Sequence, residues 1–364
     1  MWVDGSDLSD IALAQGPFLT VVLATEAAVE NASQTNQTRW RAQRDQLATD
    51  GTAEAALAAI DPLIPDAHLD GNTVVAVANE QGLLHASHWP KLPFREMARW
   101  EALPVLAPLI DLRQSLPAHV IVVADRTGAD VTAVHQEVGE LHRSVDGDLH
   151  HARKVSAGGW SQRRYQDRAE VVWERNASEA AAVVARLADR VEAEIVLLAG
   201  DVRAVQLLQA DLPQPLAAKV HVVDGSRAED GSPGVDPEEL DRALAAVTAR
   251  DDDALLAKLA EERGQGDRAA SGVAGTIAAL AQAQVQVLLL HADPDDGRRA
   301  WFGADPTAIS VGARDLRGLG VSDPQEGRLA DVLLRAAIGT GAGIRIVPPG
   351  DHLPEDVAAI LRWA

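Results

Sequence analysis

Apolar residues along the chain fall into two rhythms, and the change from one to the other marks out its elements. Phe18-Leu-Thr-Val-Val-Leu-Ala24 is a short β-branched run and predicts a strand. Residues from about Gln34 to Ile60 are rich in helix formers, so a helix is expected there, interrupted at Gly51. Val74–Ala78 and Gly82–Ala86 predict a hairpin turning through Asn79-Glu-Gln, and His119–Asp125 with Asp130–Val134 a second, with Gly128 in its turn. Beyond the polar break Val145-Asp-Gly-Asp148 the period lengthens. Tyr165, Val172, Trp173, Ala177, Ala180, Val184, Leu187 and Val191 follow steps of three and four, which predicts one long helix from about Ser161 to Val191.

The second half alternates. Glu194–Ala199 is a continuous apolar run closed by Gly200, Asp201 stands where a helix cap is wanted, and Lys219–Val223 is a further strand; together they predict a β-α-β unit. A polar loop from Gly225 to Gly234 leads to Asp236-Pro-Glu-Glu, with the cap, the N1 proline and the first-turn acids of a helix start. Val285–Leu290 predicts a strand, Asp293–Gly297 a turn, Asp331–Ala337 a helix, and Ile344–Val347 a final strand stopped by two prolines. The expected class is α/β (α+β) in three domains: 1–145, 146–282 and 283–364. A chain of 364 residues is of that size.

Composition narrows the chemistry. There is no cysteine, so no disulfide scaffold, thiol nucleophile, Fe–S cluster or thiolate zinc site can be built. No apolar run approaches the ~20 residues of a membrane helix, and the N-terminus lacks a signal-peptide pattern, so the expected location is cytoplasmic with no membrane partner. The 33 Lys and Arg against 54 Asp and Glu give a net charge of −21, which argues against a broad basic coat for nucleic acid and against DNA as a partner. The segment from Asp224 to Glu262 is strongly acidic and reads as a solvated surface.

Three motifs fall away on inspection. Gly339-Thr-Gly-Ala-Gly343 has a helix before it and a strand after it, the reverse of a phosphate loop, and so predicts a helix C-cap and turn. Gly159-Trp-Ser-Gln-Arg163 lacks the last glycine of a nucleophile elbow. His150 and His151 are adjacent rather than at metal-ligand spacing, and neither a metal nor another cofactor is expected.

One stretch runs against the overall charge. From His150 to Arg168 five basic side chains (Arg153, Lys154, Arg163, Arg164, Arg168) face a single acid, Asp167. Gly158 and Gly159 interrupt the run, and Trp160, Ser161, Gln162 and Tyr165 follow them. A loop end that carries an indole among arginines suits phosphate contact combined with base stacking. Arginines in a first helical turn also oppose the helix dipole, a cost that binding would justify. The expected RNA-contact set is Arg153, Lys154, Gly158, Gly159, Trp160, Ser161, Gln162, Arg163, Arg164, Tyr165 and Arg168.

The run Lys154-Val-Ser-Ala-Gly-Gly-Trp-Ser-Gln-Arg-Arg-Tyr165, followed by a helix holding Arg168-Ala-Glu and Trp173-Glu-Arg-Asn-Ala177, resembles the bacterial branch of the archaeo-eukaryotic release-factor and Pelota family. So does the C-terminal pattern Trp301-Phe-Gly with Asp331-Val-Leu-Leu-Arg-Ala-Ala-Ile-Gly-Thr-Gly-Ala342. The resemblance implies an N-terminal α+β domain, a central RNase H-like domain and a C-terminal α/β domain like that of kink-turn-binding proteins. It also implies the 70S ribosome as partner, through rRNA and the P-site tRNA end, together with a translational GTPase of the elongation factor Tu type. Release factors of the family end this loop in Gly-Gly-Gln, whose Gln assists water in attacking the peptidyl-tRNA ester. Here Trp160 and Ser161 separate Gly159 from Gln162, and catalytic geometry is intolerant at the ~1 Å level. The stop-codon-reading motifs are also missing. The leading expectation is therefore a non-catalytic ribosome hibernation factor that occupies the A site with its loop near the peptidyl transferase centre. The alternative is a peptidyl-tRNA hydrolase of ribosome rescue, with Gln162 orienting the water.

Overall fold

The computed structural model describes residues 2–24, 32–64, 73–89, 95–135, 139–146, 159–227, 234–266, 268–350 and 352–363, with side chains described throughout except at 32–35 and 159–171. The elements fall into two compact units, residues 1–114 with 251–364, and residues 115–250.

In the first unit, α1 (Ser9–Ala12), β1 (Phe18–Ala24), α2 (Ala32–Thr49), α3 (Glu54–Ile60), β2 (Thr73–Asn79), β3 (Gly82–Trp89), β4 (Met97–Glu101) and α4 (Ala107–Ser115) come first. The strands form an antiparallel sheet of order β3-β2-β1-β4. Leu19, Val21 and Leu23, at alternate positions of β1, bury against Trp40, Leu47, Leu57 and Ile60 of α2 and α3. The Trp40 indole donates to Asp61 at 2.8 Å, so its buried N–H is satisfied. Both hairpins and the helix break at Gly51 are present, but the turns are shorter than expected, Glu80-Gln81 and Arg126-Thr127, with Asn79 and Gly128 already in their strands.

The second unit holds β5 (His119–Asp125), β6 (Gly128–His135), β7 (Gly139–Asp146), α5 (Gly159–Arg190), β8 (Ile195–Gly200), α6 (Val202–Asp211), α7 (Gln214–Ala217) and β9 (Val220–Val222), with the start of α8 (Pro237–Gln265). One sheet of order β7-β6-β5-β8-β9 runs through it, and β5, β8 and β9 are parallel. The expected β-α-β unit is β8-α6-β9. The domain boundary expected near residue 145 falls inside this unit, because β5 of the second hairpin pairs with β8 along its whole length. Periodicity reports which faces are apolar but not which strands pair, so the sequence could not assign the hairpin to its sheet. Strand β7 carries no strand signal for a related reason: its residues are mostly exposed and its pattern is polar, and its last two residues fall in the expected polar break 145–148.

The remainder of the first unit comprises the end of α8, β10 (Ala269–Ser271), α9 (Gly272–Ala281), β11 (Val285–Leu290), β12 (Arg299–Phe302), β13 (Ile309–Ser310), α10 (Ala313–Gly318), β14 (Gln325–Arg328), α11 (Leu329–Gly339), β15 (Gly343–Ile346) and β16 (Val357–Leu361). The sheets are β10-β16-β11-β15 and β13-β12-β14. This region starts upstream of the expected residue 283, since Leu255 and Leu259 of α8 and strand β10 already belong to its core and sheet. Nor is Ile344–Val347 the final strand. Val357-Ala-Ala-Ile-Leu361 pairs antiparallel with β10 and β11, and its two alanines give it a weak β-branched signal. The glycine run after α11 is a helix end and turn, with Gly341 N–H donating to Ile338 and Ala342 N–H to Ala337. Buried Arg345 and Asp252 pair at 2.6 Å. No helix among the described residues is long and apolar enough to cross a membrane.

Candidate RNA-contact site

Of the expected contact set, Arg153, Lys154 and Gly158 lie outside the described residues. Gly159 opens α5, so the backbone from Trp160 through Ser161, Gln162, Arg163, Arg164 and Tyr165 to Arg168 is helical from its first turn. The helix begins two residues before the expected Ser161. The run after Gly159 is therefore a helix start rather than the end of a loop, while its side chains lie outside the described residues.

What fixes α5 is its second half. Ala177, Ala180, Ala181, Val184, Leu187, Ala188 and Val191 are buried against Val120, Val122, Val131 and Leu198 of the sheet. These positions repeat at three and four residues, so a single stripe faces the core. Upstream of Ala177 the stripe loosens: Val172 and Trp173 are only half-buried and Glu174 and Arg175 are exposed.

At this transition a polar cluster ties α5 to the carboxyl ends of β5 and β8. The guanidinium of Arg126 lies 4.8 Å from the centre of the Trp173 ring and 3.3 Å from Asp201. The Asn176 amide donates to the Arg126 carbonyl at 3.3 Å. Asp201 caps α6 as its position predicts, accepting from the N–H groups of Arg203 at 3.0 Å and Ala204 at 3.2 Å. Burial alone would raise the Asp201 pKa, but these donors and Arg126 outweigh it and hold the carboxyl below the usual range. A concavity beside the cluster is lined by Arg126, Trp173, Asn176, Arg203 and Leu207.

The adjacent β5–β6 turn is equally constrained. One Asp125 oxygen accepts from Thr127 N–H at 2.7 Å, Thr127 Oγ1 at 2.6 Å and Gly128 N–H at 2.9 Å. Arg227 reaches Asp130 at 2.8 Å, Asp146 at 3.2 Å and Asp125 at 3.6 Å. Its hydrogen bonds to Asp130 hold that carboxyl below the usual range and raise its own pKa. Sequence reasoning missed Arg126 and Arg227. Each is a lone arginine in a polar loop, and the partners of Arg227 lie about a hundred residues upstream.

The C-terminal pattern occupies a buried site of another kind. The Arg335 guanidinium sits 5.4 Å from the Phe302 ring centre and donates to the Ala304 carbonyl at 2.6 Å. Asp331 is fully buried in the first turn of α11. Neither of its carboxylate oxygens has a hydrogen-bond partner, and Arg328 stands 3.8 Å away. Burial pushes its pKa up to about 7. Among the described residues no three His, Asp or Glu side chains cluster as metal ligands would.

Comparison with known proteins assigns the middle of the chain. Residues 118–265 match the model of bacterial archaeo-eukaryotic release factor family 2. This segment is similar to a domain of that family. The match covers the second unit almost completely and takes in the Lys154–Tyr165 run. An uncharacterized protein of Mycobacterium tuberculosis strain H37Rv is 26% identical over 97% of this chain and 95% of its own length. Among solved structures, Archaeoglobus fulgidus Pelota aligns at 18% identity over 80% of both chains, with a TM-score of 0.36. A model of ribosome-bound archaeal Pelota with ABCE1 aligns at 12% identity over 99% of this chain and 95% of that one, with a TM-score of 0.42.

Proposed function

We propose that this chain is a ribosome-binding translation factor of the cytoplasm, acting in the A site with the Gly158–Arg168 segment near the peptidyl transferase centre. The observation that carries the reading is the release-factor family match over residues 118–265, because it spans the one basic stretch of an otherwise acidic chain. The remaining charge of the chain disfavours rRNA, which concentrates binding on that stretch. An elongation factor Tu-type GTPase is the proposed partner for delivery. The Gly-Gly-Trp-Ser-Gln sequence also resembles that of the hibernation factor Balon, and this supports protection of idle ribosomes over termination.

Hydrolysis of peptidyl-tRNA is the second reading, favoured by Gln162 alone. Two intervening residues displace that side chain from the family's Gly-Gly-Gln position, a larger shift than catalytic geometry tolerates. A single comparison separates the two readings. Gln162→Ala is expected to keep co-sedimentation with vacant 70S ribosomes within about twofold, since the side chain carries no charge to a phosphate. Neither form should release peptide from stalled ribosomes. Release by the wild type that Gln162→Ala abolishes would establish the hydrolase.

A further inference from the structure

The Trp173-Glu-Arg-Asn-Ala177 segment was singled out by sequence, and the Gly159–Arg168 reading leaves it without a role. In the structure it meets Arg126 and Arg203. We propose that Arg126, Trp173 and Arg203 form a second RNA-contact site on the central unit, which stacks an unpaired base on the Arg126–Trp173 pair and holds the adjoining phosphate with Arg203. The inference rests on the ribosome-binding reading and extends it to a second site on the same helix.

Several observations converge on this surface. Arg126 keeps 53% of its side chain exposed although one side of it meets the Trp173 indole. A guanidinium backed by an aromatic ring offers a broad, flat cationic face, and RNA bases stack on either kind of plane. Arg126 is also held in place: Asp201 fixes its head and Asn176 its backbone carbonyl. Little rotamer freedom is then left to lose on binding. Arg203 is exposed on the first turn of α6 and lines the same concavity, whose floor is Ala177, Ala204 and Leu208. The site shares α5 with the basic run. Gly159 and Trp173 are fourteen residues apart, about 21 Å along a helix. One rRNA strand or helix can engage both. Tryptophan and arginine also anchor protein interfaces, and Val202 beside the site is 73% exposed. RNA is favoured because two guanidinia, Arg126 and Arg203, line the concavity against one carboxylate, Asp125, which is already taken up by the β5–β6 turn, and because Trp173 shares its helix with the basic run.

The test titrates the full chain against vacant 70S ribosomes across a salt series, with a 12-nucleotide unstructured RNA as a second probe. Trp173→Ala should weaken ribosome binding at least about fivefold without altering the salt slope. Trp173→Phe, which keeps a ring in the same packing, should stay within about threefold and so controls for folding. Arg126→Lys keeps the charge but loses the plane, and should weaken binding with the slope unchanged. Arg203→Ala should flatten the slope by about 0.7–0.9. A photo-crosslinking residue at position 202 should label rRNA. If the wild type binds ribosomes and these variants match it within twofold, or if the crosslink falls on a ribosomal protein, the second site is overturned. Binding to the oligonucleotide that depends on Trp173, with no binding to ribosomes, would uphold the site and overturn the ribosome reading. Binding to neither probe would overturn both.

Discussion

Asp331→Asn should make the protein progressively more stable than the wild type as pH rises from about 4 to about 7, with no further gain above that. The carboxyl is buried, neither oxygen has a hydrogen-bond partner, and burial outweighs the pull of Arg328 at 3.8 Å, so the folded state keeps the proton. Its folded pKa is about 7, against an ordinary 3.8. Between those values the folded chain holds a proton that the unfolded chain has released, and stability falls as pH rises. The stability this group contributes is complete below pH 4 and is lost through pH 7. Asn, which has no proton to lose, escapes that loss. At 1.36 kcal/mol per pK unit the pH-dependent difference has a ceiling of about 4 kcal/mol. Chemical denaturation of both proteins at pH 5 and pH 8 measures it, because the other titrating groups cancel between them. A difference that is flat with pH, or that grows toward acid, would mean the carboxylate is charged in the fold.

The second large effect is expected at Gly200→Ala, a loss of more than about 3 kcal/mol from the central unit. Gly200 ends β8 with φ of 121°, and a Cβ there would stand 1.9 Å from the Ala124 carbonyl oxygen of neighbouring β5. The strained conformation alone costs on the order of 1–3 kcal/mol, and the overlap forces β5 and β8 apart. Those strand ends carry Arg126 and Asp201, so the cluster around Trp173 should loosen with them. Gly51→Ala is the matched control: its φ is 89°, but nothing lies within 4 Å of the added atom. Only the backbone strain is expected there. Amide exchange in β5 and β8 should quicken in the first variant and not in the second.

These two positions differ in how far the sequence revealed them. Gly200 was legible as the end of a buried strand, and Asp201 as a cap, because both signals are local. Asp331 could be placed on a helix from its neighbours, but its surroundings could not, since the concavity it lines is completed by Met97, Val105 and Pro108, more than two hundred residues upstream. Separation along the chain likewise hid Arg227 from Asp130, and Trp173 from Arg126. Strand positions were readable wherever residues were β-branched and apolar. The exposed β7 and the alanine-containing β16 were not, and without them the sheets could not be divided correctly among the units. The basic run stood out because it opposes the charge of everything around it.

The central claim is that this run holds the ribosome by its charges. It is tested most directly by the salt dependence of co-sedimentation with vacant 70S ribosomes, wild type against Arg163→Ala/Arg164→Ala. Each phosphate contact contributes about −0.7 to −0.9 to the slope of log K against log salt. The wild type should bind with a clearly negative slope, and the double variant should bind more weakly with a slope flatter by up to about 2. Wild type and variant titrating along one line, at equal affinity, would contradict the claim.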